Sequence, residues 1–62
     1  MRFSLIGYTT DEDKMEIAQF HYYQDALALA RIYASSSAAH DFNQLRIFNI
    51  ETNLCVDSLE IK

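Results

Sequence analysis

Residues 15–34 read MEIAQFHYYQDALALARIYA, and the fold turns on where this stretch changes period. Over residues 15–22 (MEIAQFHY), apolar and aromatic residues are spaced as in a strand. From Asp25 onward the rhythm lengthens. Ala26, Leu29, Ala30, Tyr33 and Ala34 recur at i, i+3, i+4, i+7 and i+8, which draws one apolar stripe along a helix. The spacing predicts a helix over residues 25–39. Asp25, or Gln24 just before it, supplies the acceptor or negative charge that a first helical turn favours. Three of the five stripe residues are alanine, so the helix can sit close to a sheet. Arg31 and Ser35 fall on the opposite side, and the weak helix formers Ser35-Ser36-Ser37 predict fraying before His40 and Asp41.

Working outward, residues 2–9 (RFSLIGYT) read as a strand, with Phe3 and Leu5 alternating with Arg2 and Ser4. Residues 10–14 (TDEDK) form a polar turn, so the first two strands make a hairpin. Gly7, the only glycine, points to a bulge or a close contact with packed neighbours. Residues 44–50 (QLRIFNI) and 54–61 (LCVDSLEI) make a second hairpin across Glu51-Thr52-Asn53, where Asn53 can take the left-handed conformation. The order is ββαββ. The expected fold is α+β, a single domain over residues 1–62: a four-stranded, largely antiparallel sheet with one helix on one face.

A single helix covers a single face. Alternation puts Phe3 and Leu5 on one side of the first strand, and Ile6 and Tyr8 on the other. Phe20, Tyr22 and Phe48 are expected to join Ile6 and Tyr8 on the uncovered side. A wet sheet face is normally polar, and a contiguous apolar one marks an interaction surface. A different pairing register would instead gather these aromatics into one core.

Charge narrows the partner. Five Lys and Arg against nine Asp and Glu give a net charge of −4. The basic residues Arg2, Lys14, Arg31, Arg46 and Lys62 are scattered singly, whereas nucleic-acid binders cluster theirs to displace counterions. Direct nucleic-acid binding is therefore not expected, although exposed aromatics on a sheet can stack single-stranded bases. An acidic balance suits a basic protein surface. Asp11, Glu12, Asp13 and Glu16 form the densest acidic group, either a solvated turn or a handle for such a partner. Their spacing lacks the glycine and terminal glutamate of a calcium loop.

Catalytic and metal chemistry find little support. His21 and His40 lie on different elements, with no pair of cysteines to complete a zinc site. Cys55 with a histidine would need an orienting third group and an oxyanion site, and Ser35 to Ser37 lack the glycines of a nucleophile elbow. No catalytic residue, metal or cofactor is expected. One cysteine allows no internal disulfide, which suits a reducing cytoplasm. Neither a signal peptide nor a membrane span is expected. A chain of 62 residues buries only about 60% of its unfolded surface and often draws stability from self-association or a partner.

The segment Phe20-His21-Tyr22-Tyr23-Gln24-Asp25-Ala26-Leu27-Ala28-Leu29-Ala30 resembles the strand-to-helix junction of small phage-encoded proteins. These include host-takeover inhibitors of RNA polymerase and compact anti-CRISPR proteins of similar size, acidity and mixed α/β shape. Antitoxins of the HicB type share the Asp-Ala-Leu helix start. The resemblance implies a folded plug that occupies a nucleic-acid-binding or partner surface of a larger complex, such as a Cas protein or another nucleic-acid enzyme. On this reading Asp11, Glu12, Asp13 and Glu16 meet the partner's basic residues. Ile6, Tyr8, Phe20, Tyr22 and Phe48 anchor the contact. The alternative is a homodimeric or antitoxin-like module that buries the second sheet face against its own copy.

Overall fold

A computed structural model describes residues 1–35 and 41–61. Its elements run β1 (Phe3–Thr9), β2 (Lys14–Phe20), α1 (Tyr23–Ser35), β3 (Phe42–Asn49) and β4 (Leu54–Glu60). All neighbouring strands are antiparallel, in the order β2-β1-β3-β4. The fold is thus the expected ββαββ arrangement. Strands β2 and β3 both oppose β1 and so run parallel to each other, and α1 makes the crossover between them. The expected helical residues 36–39 and His40 lie outside the described residues.

The helix begins at Tyr23, two residues ahead of the expected start, because the carbonyl of Tyr22 accepts from the amides of Asp25 and Ala26. Strand β2 correspondingly ends at Phe20. Tertiary contacts hold that first turn: the ring of Tyr23 meets Phe3 edge-on at 6.2 Å between centroids.

The helical stripe packs as its spacing dictates. Ala26 and Ala30 are completely buried against Leu5, Leu45 and Ile47 of the two central strands, with Ile61 closing one side. Leu29, Tyr33 and Ala34 flank this contact. Alanine at the two closest points lets the helix backbone approach the sheet, and each fully buried Leu or Ile contributes about 1.5–3 kcal/mol.

Gly7 makes the close contact that its position implied. A Cβ there would lie 2.6–2.8 Å from the ring of Phe42, which stacks over the glycine and against Tyr33. Its φ is not positive, so space and not backbone conformation requires glycine. Asn53 does adopt the left-handed conformation, at φ 59°, as its hairpin requires. The side chain of Asn49 accepts from the amides of Glu51 and Thr52 and sets the same turn.

Register corrects the expected uncovered face. The β1–β2 pairing passes from Leu5↔Ala18 to Ile6↔Glu16, which leaves Ile17 as a bulge. Phe20 is opposite Phe3, and both Ile17 and Phe20 pack against the helix-side core. Phe20 therefore does not join Ile6, Tyr8 and Phe48. A bulge breaks strict alternation, so residues on either side of it no longer follow one face pattern. The open face instead interleaves Ile6, Tyr8 and Phe48 with Ser4, Glu16, Gln19, Arg46 and Ser58.

Replacing Gly7 with alanine should destabilise the fold by about 1–3 kcal/mol through overpacking against Phe42. Chemical denaturation of Gly7→Ala, Phe42→Leu and the double variant checks this. The double variant should lose less than the sum of the two singles, because the smaller side chain makes room for the methyl group.

Candidate functional site

Three surface regions carry the chemistry-bearing residues, and the strands hold the first and the third apart. The first is the β1–β2 turn. The amide of Thr9 donates to the carbonyl of Asp13 at 2.9 Å, and that of Glu12 to the carbonyl of Thr9 at 3.1 Å. Glu12 takes a left-handed φ of 67° to close the turn. Asp11, Glu12 and Asp13 all stand exposed. Because Thr9 pairs with Phe42, the start of β3 brings Asp41 alongside. Asp41 lines one surface depression with Asp11, Asp13, Thr9 and Thr10. Three carboxylates from two distant sequence positions thus share one end of the molecule. Glu12 faces a neighbouring depression with Tyr8, Thr9, Gln44 and Arg46.

Glu16 does not belong to that end. It lies on the open face, where the hydroxyl of Ser4 donates to its carboxylate at 2.6 Å and the Gln19 amide donates at 3.0 and 3.2 Å. The Ser4 hydrogen bond, then that of Gln19, holds its carboxyl below the ordinary range against a smaller opposing effect of burial. On the same face the guanidinium of Arg46 stacks 4.9 Å from the centre of the Tyr8 ring. Ile6 and Phe48 lie half-buried beside them.

The third region is the opposite end of the sheet. Met1, Arg2, His21, Tyr22 and Glu51 line a depression there, and Arg2 pairs with Glu51 at 3.0 Å in open solvent. Such exposed pairs contribute little. Tyr22 is 69% exposed. Seven-residue strands at about 3.3 Å per residue put it roughly 20 Å from the acidic turn. The expected aromatic set therefore divides: Ile6, Tyr8 and Phe48 share the open face, Tyr22 marks the far end, and Phe20 packs into the core.

Among the described residues, no group of three His, Cys, Asp or Glu side chains is placed to hold a metal ion. Cys55 is exposed on β4, and its thiol donates to the carbonyl of Asp57 at 3.3 Å. The depressions described above are open to solvent. No described helix is long and apolar enough to cross a membrane.

One buried-edge interaction had no sequence signal. The hydroxyl of Tyr23, in the first turn of α1, donates to the carboxylate of Asp57 on β4, 34 residues along the chain. That hydrogen bond, followed by the Ser58 amide at 2.8 Å, keeps the Asp57 carboxyl below its ordinary range, and the nearby charge of Arg31 acts the same way. The Tyr23 phenol is pushed up in turn by Asp57.

This pair sets a pH dependence. A carboxyl lowered in the folded state stabilises the fold above its unfolded value, and the contribution disappears as pH falls through the folded value. Tyr23→Phe should move the Asp57 carboxyl back up and make the acid limb of the stability–pH curve shallower. A residual slope from Glu16 should persist, with the same sign. Denaturation midpoints from neutral pH down through the carboxylate range, with NMR titration of Asp57, check both expectations. Comparison of the chain with known protein-family models, with curated proteins and with solved structures finds no match.

Proposed function

We propose that this chain is a non-enzymatic inhibitory binding protein of the kind carried by phages and mobile elements. In its most specific form it is an anti-CRISPR protein that acts in the host cytoplasm by occupying a basic, nucleic-acid-holding surface of a Cas protein or related enzyme. The observation that carries the reading is the acidic end: Asp11 and Asp13 on one turn, joined by Asp41 from the start of β3, with Glu12 beside them. Carboxylates projected from a body of extents 30 × 21 × 15 Å resemble a short stretch of phosphates in charge. They compete for the same Lys and Arg, and the body behind them excludes the nucleic acid by volume.

The mechanism is electrostatic capture followed by steric exclusion. Opposite fields speed the encounter, and the contact weakens as salt screens it. Glu16 supports the sheet through Ser4 and Gln19 and leaves the capture itself to the turn. The alternative, a homodimer through the open sheet face, would have to bury Ser4, Glu16, Gln19, Arg46 and Ser58 together with Ile6, Tyr8 and Phe48, and without Phe20.

The test pairs the purified chain with individual Cas nucleases and surveillance complexes and measures displacement of their guide or target nucleic acid. Binding to the susceptible complex should fall steeply with salt. The triple variant Asp11→Asn, Glu12→Gln, Asp13→Asn should bind at least about tenfold more weakly, mainly through a slower association rate. Binding by the triple variant equal to that of the parent chain would remove the acidic end from the mechanism. No displacement from any complex would overturn the inhibitor reading.

A further inference from the structure

We propose that two copies of this chain associate through β2, antiparallel about a twofold axis at Met15, so that Lys14 of each copy faces Glu16 of the other. The proposal stands apart from the inhibitor reading, and either can fail without the other.

The sheet order leaves β2 and β4 as edges. An edge strand offers unpaired backbone groups to another strand. Directly opposed residues of an antiparallel pair point to the same sheet face. A twofold axis perpendicular to the sheet keeps each side chain on the face of its own copy. A strand can then pair with itself only in registers centred on a residue, because registers centred between residues would oppose side chains from different faces.

Charge chooses among those registers. Centring on Met15 places Lys14 opposite Glu16 twice, once on each side of the axis. Centring on Glu16 sets two carboxylates against each other, and centring on Ile17 or Ala18 pairs no opposite charges. Strand β4 carries Asp57 and Glu60 with no Lys or Arg, so none of its registers pairs opposite charges. Complementarity thus selects one edge and one register.

Side-chain placement supports the same arrangement. Met15 is 60% exposed, and at the axis it would meet its own copy and bury apolar surface. Lys14 and Glu16 pair with Tyr8 and Ile6 respectively, so both project from the open face, and the long Lys14 side chain is the one that must reach across the new strand boundary to a Glu16 carboxylate held toward Ser4 of β1. The Glu16 carboxylate is already oriented by Ser4 and Gln19, and a carboxylate has acceptor sites beyond those two. The Ile17 bulge limits regular pairing to the first part of β2, which implies a weak, concentration-dependent dimer.

Sedimentation equilibrium of the full chain, carrying Cys55→Ser to remove disulfide exchange, tests this up to millimolar concentration. The mass should rise from 7.2 kDa toward twice that value. Lys14→Glu should weaken association at least about tenfold by setting two acids against each other. The double swap Lys14→Glu, Glu16→Lys should restore most of it, since opposite charges face each other again. Met15→Cys in the Cys55→Ser background should form a disulfide-linked dimer on mild oxidation. The Lys14→Glu and Met15→Cys arms leave the Ser4–Glu16 hydrogen bond intact, so they remain readable if Glu16→Lys impairs folding. A 7.2 kDa species throughout, or a dimer indifferent to Lys14→Glu and not linked through residue 15, would overturn the proposal.

Discussion

The close approach of α1 to the two central strands is the constraint on which the rest of this molecule depends. Ala26 and Ala30 rest on Leu5, Leu45 and Ile47, and these five side chains are fully buried. A larger residue at either alanine would lift the helix and open the rows on both sides. The contact also determines where the flanking aromatics go. Tyr23 reaches Phe3 at one end of the helix, while Tyr33 reaches Phe42 toward the other. Phe42 in turn requires a residue without a side chain at position 7. A close-packed core does not tolerate independent adjustments, because a change at one side chain is felt by its neighbours.

One helix leaves the other side of the sheet to water, and the strands meet that demand through bulges as well as alternation. Where β2 bulges at Ile17, an apolar residue that strict alternation would expose turns toward the core. The freed face then carries the Ser4–Glu16–Gln19 hydrogen bonds and the Tyr8–Arg46 stack. Strand β4 bulges at Val56, between the pairs Ile47↔Asp57 and Phe48↔Cys55. Asp57 points inward to Tyr23 just beside that bulge. A bulge and an inward acid are both devices that blunt an edge strand against indiscriminate pairing. Strand β2 has its own bulge, but it lies beyond the Lys14-Met15-Glu16 segment and leaves that part of the edge regular.

These particulars explain what could be read from the residues and what could not. Element order, the alanine-rich stripe, the tight contact at Gly7 and the left-handed Asn53 follow from periodicity, residue size and local backbone preference. All are properties of neighbouring residues. The face taken by Phe20 depends on a one-residue slip in pairing with β1, and no local property of β2 fixes that slip. The early helix start at Tyr23 depends on partners at Phe3 and Asp57, far along the chain. Asp41 joins the acidic end only because β3 lies against β1 with Phe42 at Thr9. The acidic turn itself was legible, and so was Glu16 as an acid; its separate duty on the open face was not.

The distance between the acidic end and the exposed apolar group at the far end has a mechanical consequence for binding. The acidic carboxylates sit at one end of the strands, whereas Met1, Tyr22, Ile50 and Leu54 are exposed near the other. Strands of this length keep the two ends about 20 Å apart. A small basic groove that engages Asp11, Asp13 and Asp41 therefore cannot also enclose Tyr22. An acidic end acting alone gives fast, salt-sensitive capture with limited residence, since long residence requires a desolvated anchor near the centre of the contact. On the inhibitor proposal, tight binding requires a partner surface long enough to run along the sheet from the acidic turn across Tyr8 and Arg46. Those side chains lie next to Glu12 and offer a stacking surface to a partner docked on the acidic end, while the exposed Met15 lies two residues beyond Asp13.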